Sequence, residues 1–192
     1  MKGLAKTMTK KIAVIIGSTR PSRIGPDIAD WFVRHVSDFV DLDFELIDLR
    51  DINLPFLDEV HTPKTGKYEK DHTKAWKALI DSFDGYVFVT AEYNAGYPAP
   101  LKNAIDYLSA EWHDKPAAIV SYGWGGGASA SAQLRQVLER LKMRPVGVSP
   151  ALTFGPDTFT EDARLRDVDT SFAGNVDEAK EAAQQLVELV NS

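Results

Sequence analysis

Three polar or glycine-rich stretches hold the residue types that could bind and orient a reactive group. The first is Gly17-Ser18-Thr19-Arg20-Pro21-Ser22-Arg23-Ile24-Gly25, set between the apolar residues 12–16 and an amphipathic segment that opens at Pro26. A strand that exits straight into a helix leaves backbone N–H groups pointing at one place, with the positive end of the helix dipole behind them. Hydroxyls from Ser18, Thr19 and Ser22 and guanidiniums from Arg20 and Arg23 add donors that suit phosphate oxygens. The stretch lacks the second glycine of the dinucleotide fingerprint and the Gly-Lys-Ser/Thr of the nucleoside-triphosphate loop, so a phosphate held here belongs to a mononucleotide. Taken alone, an unliganded polar turn accounts for these residues equally well.

The second stretch, Ala91-Glu92-Tyr93-Asn94-Ala95-Gly96-Tyr97-Pro98-Ala99-Pro100, follows the apolar run 86–90. Two tyrosines and an amide at the carboxyl end of a strand suit a planar heterocycle, or Tyr93 and Tyr97 cap the edge of the core. The third stretch is Tyr122-Gly123-Trp124-Gly125-Gly126-Gly127-Ala128, after the run 117–121. Its glycines let the backbone approach a ligand and take positive φ, aiming successive N–H groups into one concavity. N–H groups from Gly125 to Gly127 would there stabilise negative charge as an oxyanion hole does. Gly123, Gly125 and Ala128 match G-x-G-x-x-A, but after the fourth strand, and with Lys142-Met143-Arg144 where the fingerprint needs an acid.

These stretches need a scaffold that brings them together. Apolar runs predicted as strands at 11–16, 43–48, 86–90, 117–121 and about 145–149 alternate with helical segments. The helices are predicted at 26–39, around 76–83, from 98, at 129–143 and at 176–190. This βα repeat predicts an α/β fold, a parallel sheet with helices on both faces. The first strand is continuously apolar and reads as central; the second alternates and reads as an edge. The stripe Ile28, Trp31, Phe32, His35 and Phe39 reads as core, as does the helical face with Leu101, Ile105, Leu108 and Trp112. Residues 50–71, with Pro55, Pro63 and Gly66, are long for a connection and read as a flap over a site in preference to a loose excursion. His61 and His72 lie in or beside it without a second ligand at metal spacing, so no metal is expected. In a parallel sheet the turns after strands 1, 3 and 4 leave by the same edge and converge.

Composition bounds the rest. A chain of 192 residues suits one domain, 1–192, with residues 1–10 as a polar N-terminal extension. The net charge of -6 gives no general field for nucleic acid or an anionic membrane, so neither is expected as a partner. The absence of cysteine excludes disulfides, thiolate metal sites and a cysteine nucleophile. With no apolar signal core and no run of about 18 apolar residues, a cytoplasmic location is expected. There is no G-x-S-x-G elbow for a serine hydrolase.

Phosphate donors, flat amphipathic rings and bare backbone N–H groups at one edge match the tail, ring and carbonyl edge of a flavin mononucleotide, FMN. The same residues carry a resemblance. Gly17-Ser18-Thr19-Arg20, then Glu92-Tyr93-Asn94 with Pro98-Ala99-Pro100-Leu101-Lys102-Asn103-Ala104-Ile105-Asp106, then Ser121-Tyr122-Gly123 with Gly126-Gly127, resemble the NAD(P)H-dependent FMN reductase family, over about residues 11–150. The resemblance implies a flavodoxin-like α/β/α sandwich with five parallel strands in the order 2-1-3-4-5. It also implies FMN as cofactor and NADPH or NADH as co-substrate. A small acceptor follows: free flavin, quinone, azo compound or metal oxyanion. By position it implies that Ser18, Arg20, Arg23 and Ile24 hold the phosphate and ribityl end. Glu92, Tyr93 and Asn94 then lie against the isoalloxazine, with Ser121, Gly123 and Gly126 at its pyrimidine edge. Many members have Pro where this chain has Ala91, and Ser and Asn where it has Arg23 and Gly25. Hydride chemistry of this kind needs no catalytic side chain, because the flavin carries it. In the family the helix after Glu-Tyr-Asn builds a dimer, which implies a homodimer or homotetramer with Leu101, Leu108 and Trp112 partly between subunits. The rival readings are a flavodoxin-type electron carrier and a nucleotide-binding regulatory domain.

Overall fold

The computed structural model describes residues 9–192, so most of the expected N-terminal extension lies outside the described residues. Its last residue, Lys10, already belongs to β1 (Lys10–Ile16), which is buried throughout from Ile12 to Ile16 as a strand covered on both faces must be. β1 pairs in parallel with β2 (Leu42–Asp48) on one side, and β3 (Gly85–Ala91) pairs with it on the other. β4 (Pro116–Gly123) lies beyond β3 and is buried along its whole length. The order is β2-β1-β3-β4, followed by two short strands, β5 (Arg144–Pro145) and β6 (Ala151–Thr153), which pair with successive parts of β4. β2, at the end of the sheet, is far less buried than β1, with Asp43, Glu45 and Leu46 exposed.

The fifth strand predicted at 145–149 is therefore two pieces. Val146 N still donates to Ala117 O at 2.8 Å, but Gly147 N and Val148 N turn away and donate to Gln185 Oε1 at 2.7 and 3.2 Å. A side-chain acceptor on the last helix thus takes the donors that would have continued the ladder. Pairing resumes where Ser121 N donates to Pro150 O at 3.0 Å.

Helices cover both faces. α1 (Gly25–Val36) and α7 (Val176–Val190) bury Ile28, Trp31, Phe32, Ala183 and Leu186 on one face. α3 (Asp71–Asp81), α4 (Ala99–Asp106) and α5 (Ala128–Arg140) bury Trp76, Ile80, Leu101, Ile105, Leu134 and Leu138 on the other. Two single-turn helices, α2 (Leu49–Ile52) and α6 (Val168–Ser171), complete the chain. Leu101, Leu108 and Trp112 are at most 1% exposed within this one chain, so they do not form a face between subunits. Phe39 falls outside the core expected of it: α1 stops at Val36, and Phe39 is exposed beneath the Lys180 ammonium.

The long connection after β2 packs down rather than over the cleft. Asn103 on α4 donates to Pro55 O at 2.7 Å and accepts from Leu57 N at 2.9 Å. Tyr107 donates to Pro55 O at 3.1 Å, and Glu59 accepts from Glu69 N and Lys70 N, each at 2.9 Å. His72 and Asp58 pair at 2.8 Å, and His61 lies 3.5 Å from Glu69. Among the described residues no helix is long and apolar enough to cross a membrane.

Candidate functional site

In the order β2-β1-β3 the chain reverses direction of growth between β1 and β3, and an open α/β sheet binds its ligand outside the carboxyl ends of the strands at that switch point. The stretch after β1 lies there. Gly17 N donates to Val89 O at 2.9 Å, tying it to β3, and Ser18 is fully buried. Arg20 Nη1 donates to Ser22 Oγ at 2.9 Å, so Ser22 shapes the exposed Arg20 side chain. Arg23 N donates to Arg20 O at 3.1 Å and turns the Arg23 side chain inward, where only 8% of it is exposed. Its Nη2 donates to Asp48 at the end of β2, and its Nε and Nη1 are buried with no partner. Ile24 is the N-cap residue of α1 and offers no capping side chain, which leaves the first amides of the helix available.

The stretch after β3 is a tight hairpin turn. Tyr93 N donates to Gly96 O at 2.8 Å and Gly96 N returns to Tyr93 O at 3.1 Å, with Asn94 and Ala95 both at positive φ, 50° and 62°. That geometry is strained for Ala95 and holds the Tyr93 ring at the rim, where its hydroxyl lies 2.6 Å from Ser18 Oγ. The two tyrosines part company: Tyr93 lines the cleft, whereas Tyr97 packs against the core and burial pushes its hydroxyl up to about 12, with Asp106 adding to the rise. Glu92 lines the cleft, but its carboxylate accepts from Ser129 N at 2.9 Å and Ala130 N at 3.2 Å, capping α5.

The glycine-rich stretch divides between lining and support. Gly123 and Gly125 line the cleft, and a Cβ on Gly125 would meet nothing within 4 Å. Gly126 and Gly127, at φ of 67° and 71°, face the sheet. A Cβ on Gly126 would lie 3.0 Å from Thr153 Oγ1, and one on Gly127 would lie 2.9 Å from Tyr122 N. Gly126 N donates to Gly123 O at 3.1 Å, and Ser121, fully buried, donates from Oγ to Gly126 O at 2.7 Å. Ser121 and Gly126 therefore stand behind the wall and hold the turn.

The cleft these turns enclose, of about 300 Å³, brings together Arg20, Arg23, Ile24, Glu92, Tyr93, Asn94, Gly123 and Gly125. It opens beside α1 into a wider space of about 940 Å³ bounded by the segment 162–168. Tyr122, Trp124, Phe154 and Phe159 also line it, and sequence reasoning passed them over. Trp124 is 71% exposed and stacks edge-on against Phe154, ring centres 5.7 Å apart. An aromatic set among glycines was the available signal; Phe159 gave none, because it stands in a segment that reads only as polar loop.

A flavin mononucleotide fits these residues. A buried guanidinium with two unpaired nitrogens is costly without an acceptor, and a phosphate dianion supplies several. The open space beside Gly125 and the rim ring of Tyr93 admit a flat heterocycle.

A doubly wound parallel sheet with such a cleft at its switch point defines a flavodoxin-like nucleotide-binding protein. Residues 10–157 match the family model described as NADPH-dependent FMN reductase. An NAD(P)H-dependent FMN reductase of Schizosaccharomyces pombe is 42% identical over 187 residues, covering 96% of this chain and 92% of that protein. The chain belongs to the NADPH-dependent FMN reductase family. A 2-hydroxy-1,4-benzoquinone reductase of a Burkholderia species is 33% identical over 140 residues, covering 68% of this chain and 70% of that protein. A solved flavoenzyme NAD(P)H:(acceptor) oxidoreductase of Paracoccus denitrificans superposes with a TM-score of 0.67 at 24% identity, covering 92% of this chain and 98% of that one.

Proposed function

We propose that this protein is an NAD(P)H-dependent FMN reductase that passes reducing equivalents to a small oxidised acceptor, a free flavin or a quinone. The observation that carries the reading is the buried Arg23 guanidinium at the β1 exit, with Asp48 on one nitrogen and two nitrogens facing no protein acceptor. Arg20, Arg23 and the uncapped amides after Ile24 hold the phosphate and ribityl end, with the buried Ser18 fixing the Tyr93 hydroxyl beside them. Tyr93, Asn94, Gly123 and Gly125 bound the ring, and the exposed Trp124 lines the same cleft. When bound, FMN supplies the hydride-accepting and hydride-donating centre. The chain's own part is to orient the ring, keep one face open and exclude water with Tyr93, Trp124 and Phe159; no side chain has to move a proton. One open face serves nicotinamide and acceptor in turn. The names of the relatives, reductases of flavin and of a benzoquinone, support this over an electron carrier. The family resemblance further supports self-association, for which the exposed Phe56, Leu57 and Val60 beside α4 supply apolar surface.

The reading is tested by steady-state kinetics of the purified protein with FMN, NADPH or NADH, and a benzoquinone. Nicotinamide oxidation is expected to require the protein and FMN together, with parallel double-reciprocal lines when both substrates are varied. No oxidation of either nicotinamide would overturn it.

A further inference from the structure

Tyr122 sits on β4 with its ring in the core shared by α1 and α7, and the residue is 4% exposed. Its hydroxyl is buried and has no hydrogen-bond partner. Buried tyrosine hydroxyls nearly always find one, so this group requires an explanation. Ser18 Oγ is close enough to act on the hydroxyl, but that oxygen is already engaged by Tyr93 Oη at 2.6 Å and by Arg20 N at 3.4 Å. Gly25 leaves room for the hydroxyl: a Cβ there would lie 3.1 Å from Tyr122 Oη. Burial pushes the hydroxyl well above its ordinary value, with Tyr93 adding to the rise and Arg20, Arg23 and Ser18 opposing it, so it remains a protonated donor. The hydroxyl lies against Gly25, the first residue of α1, and Tyr122 lines the cleft together with Arg20 and Arg23.

Three buried donor atoms therefore stand unpaired around one cleft: Tyr122 Oη, Arg23 Nε and Arg23 Nη1. The start of α1 adds backbone amides that no side chain caps. A set of donors with no acceptor calls for a ligand with several lone pairs and negative charge. Resting on the FMN reading above, we propose that Tyr122 is a phosphate-binding residue whose hydroxyl donates to the cofactor's terminal phosphate beside Arg23, so that the site selects the phosphorylated flavin against riboflavin. Gly25 is the other half of the arrangement, because any side chain there takes the space the hydroxyl occupies. Asp48 is the positioning residue: it accepts from Arg23 Nη2 with one oxygen and from Arg50 N, at 2.9 Å, with the other. The Arg23 fork is thereby fixed with its remaining nitrogens turned inward.

The test titrates flavin-free wild type, Tyr122→Phe and Gly25→Ala with FMN and with riboflavin, reading flavin fluorescence, and melts each protein without flavin. Loss of a hydrogen bond to a charged oxygen is expected to weaken FMN binding by Tyr122→Phe about tenfold to a hundredfold. Riboflavin affinity should be unchanged, and the thermal midpoint without flavin should stay level or rise, because the deleted hydroxyl had no partner. Gly25→Ala, which presses a methyl group on the hydroxyl, should weaken FMN and spare riboflavin as well. Equal FMN affinity in wild type and Tyr122→Phe would overturn the assignment, and so would an equal loss for both flavins, which would mean a displaced ring. Wild type that binds neither flavin would instead sink the FMN reading itself.

Discussion

Arg23 and Glu92 both stood out in the sequence as ligand contacts, and the structure gives them different work. Arg23 turns inward and leaves two nitrogens unpaired; Glu92 spends its carboxylate on the amides of Ser129 and Ala130. An acid across the N-terminus of a helix satisfies free amides and opposes the dipole, and losing such a cap costs about 1 kcal/mol. Glu92→Ala is therefore expected to lower the thermal midpoint by about 2–4 °C, with Glu92→Gln in between, as scanning calorimetry would show. An unchanged midpoint would mean that the carboxylate does not serve α5. Loop chemistry made Ser18, Arg20, Arg23 and Tyr93 legible, since each belongs to a turn whose composition speaks locally. Asp48 and Tyr122 were not legible: one ends an edge strand and the other continues a buried strand, and only the fold carries them to Arg23.

At the scale of elements, burial and periodicity foretold β1, β3, β4 and α7 within a residue or two, because each is an uninterrupted apolar run or stripe. The split of β5 from β6 depends on Gln185, a partner that no local pattern discloses. The connection after β2 was read as a flap on length alone, yet Asn103, Tyr107 and Glu59 hold it against α4 and α3. Glu59 shows how firmly. Partial desolvation raises its pKa, but the amides of Glu69 and Lys70, the Lys70 charge and the Thr73 hydroxyl, which lies close without a hydrogen bond of its own, hold it at about 2 against an ordinary 4.5. A carboxylate depressed in the folded state stabilises it above pH 4.5 and loses that contribution as the pH falls through 4.5 toward about 2. The gap in thermal midpoint between wild type and Glu59→Gln should therefore narrow as the solution is acidified from neutrality. A gap independent of pH would show that the clasp does not depend on the ionised group.

For the whole molecule, the sheet order does the positioning: it sets the ends of β1, β3 and β4 side by side, so turns separated by more than a hundred residues in the chain wall one cleft. The alternating pattern of the sequence was enough to place those turns on one edge, because every strand in the sheet is parallel. What the pattern did not disclose is the aromatic side of the cleft, where Phe154 and Phe159 arrive from beyond β6 to meet Trp124. With a net charge of -6, the arginines at the β1 exit act as a local positive feature against the overall field. The central claim is that this cleft holds a flavin that takes electrons from a nicotinamide. Its most direct test is anaerobic mixing of the FMN-loaded protein with NADPH and with NADH while the visible flavin absorbance is followed. The account predicts prompt bleaching at one equivalent of nicotinamide and full return of the absorbance when a benzoquinone is added. Bound flavin whose absorbance neither nicotinamide changes would contradict it.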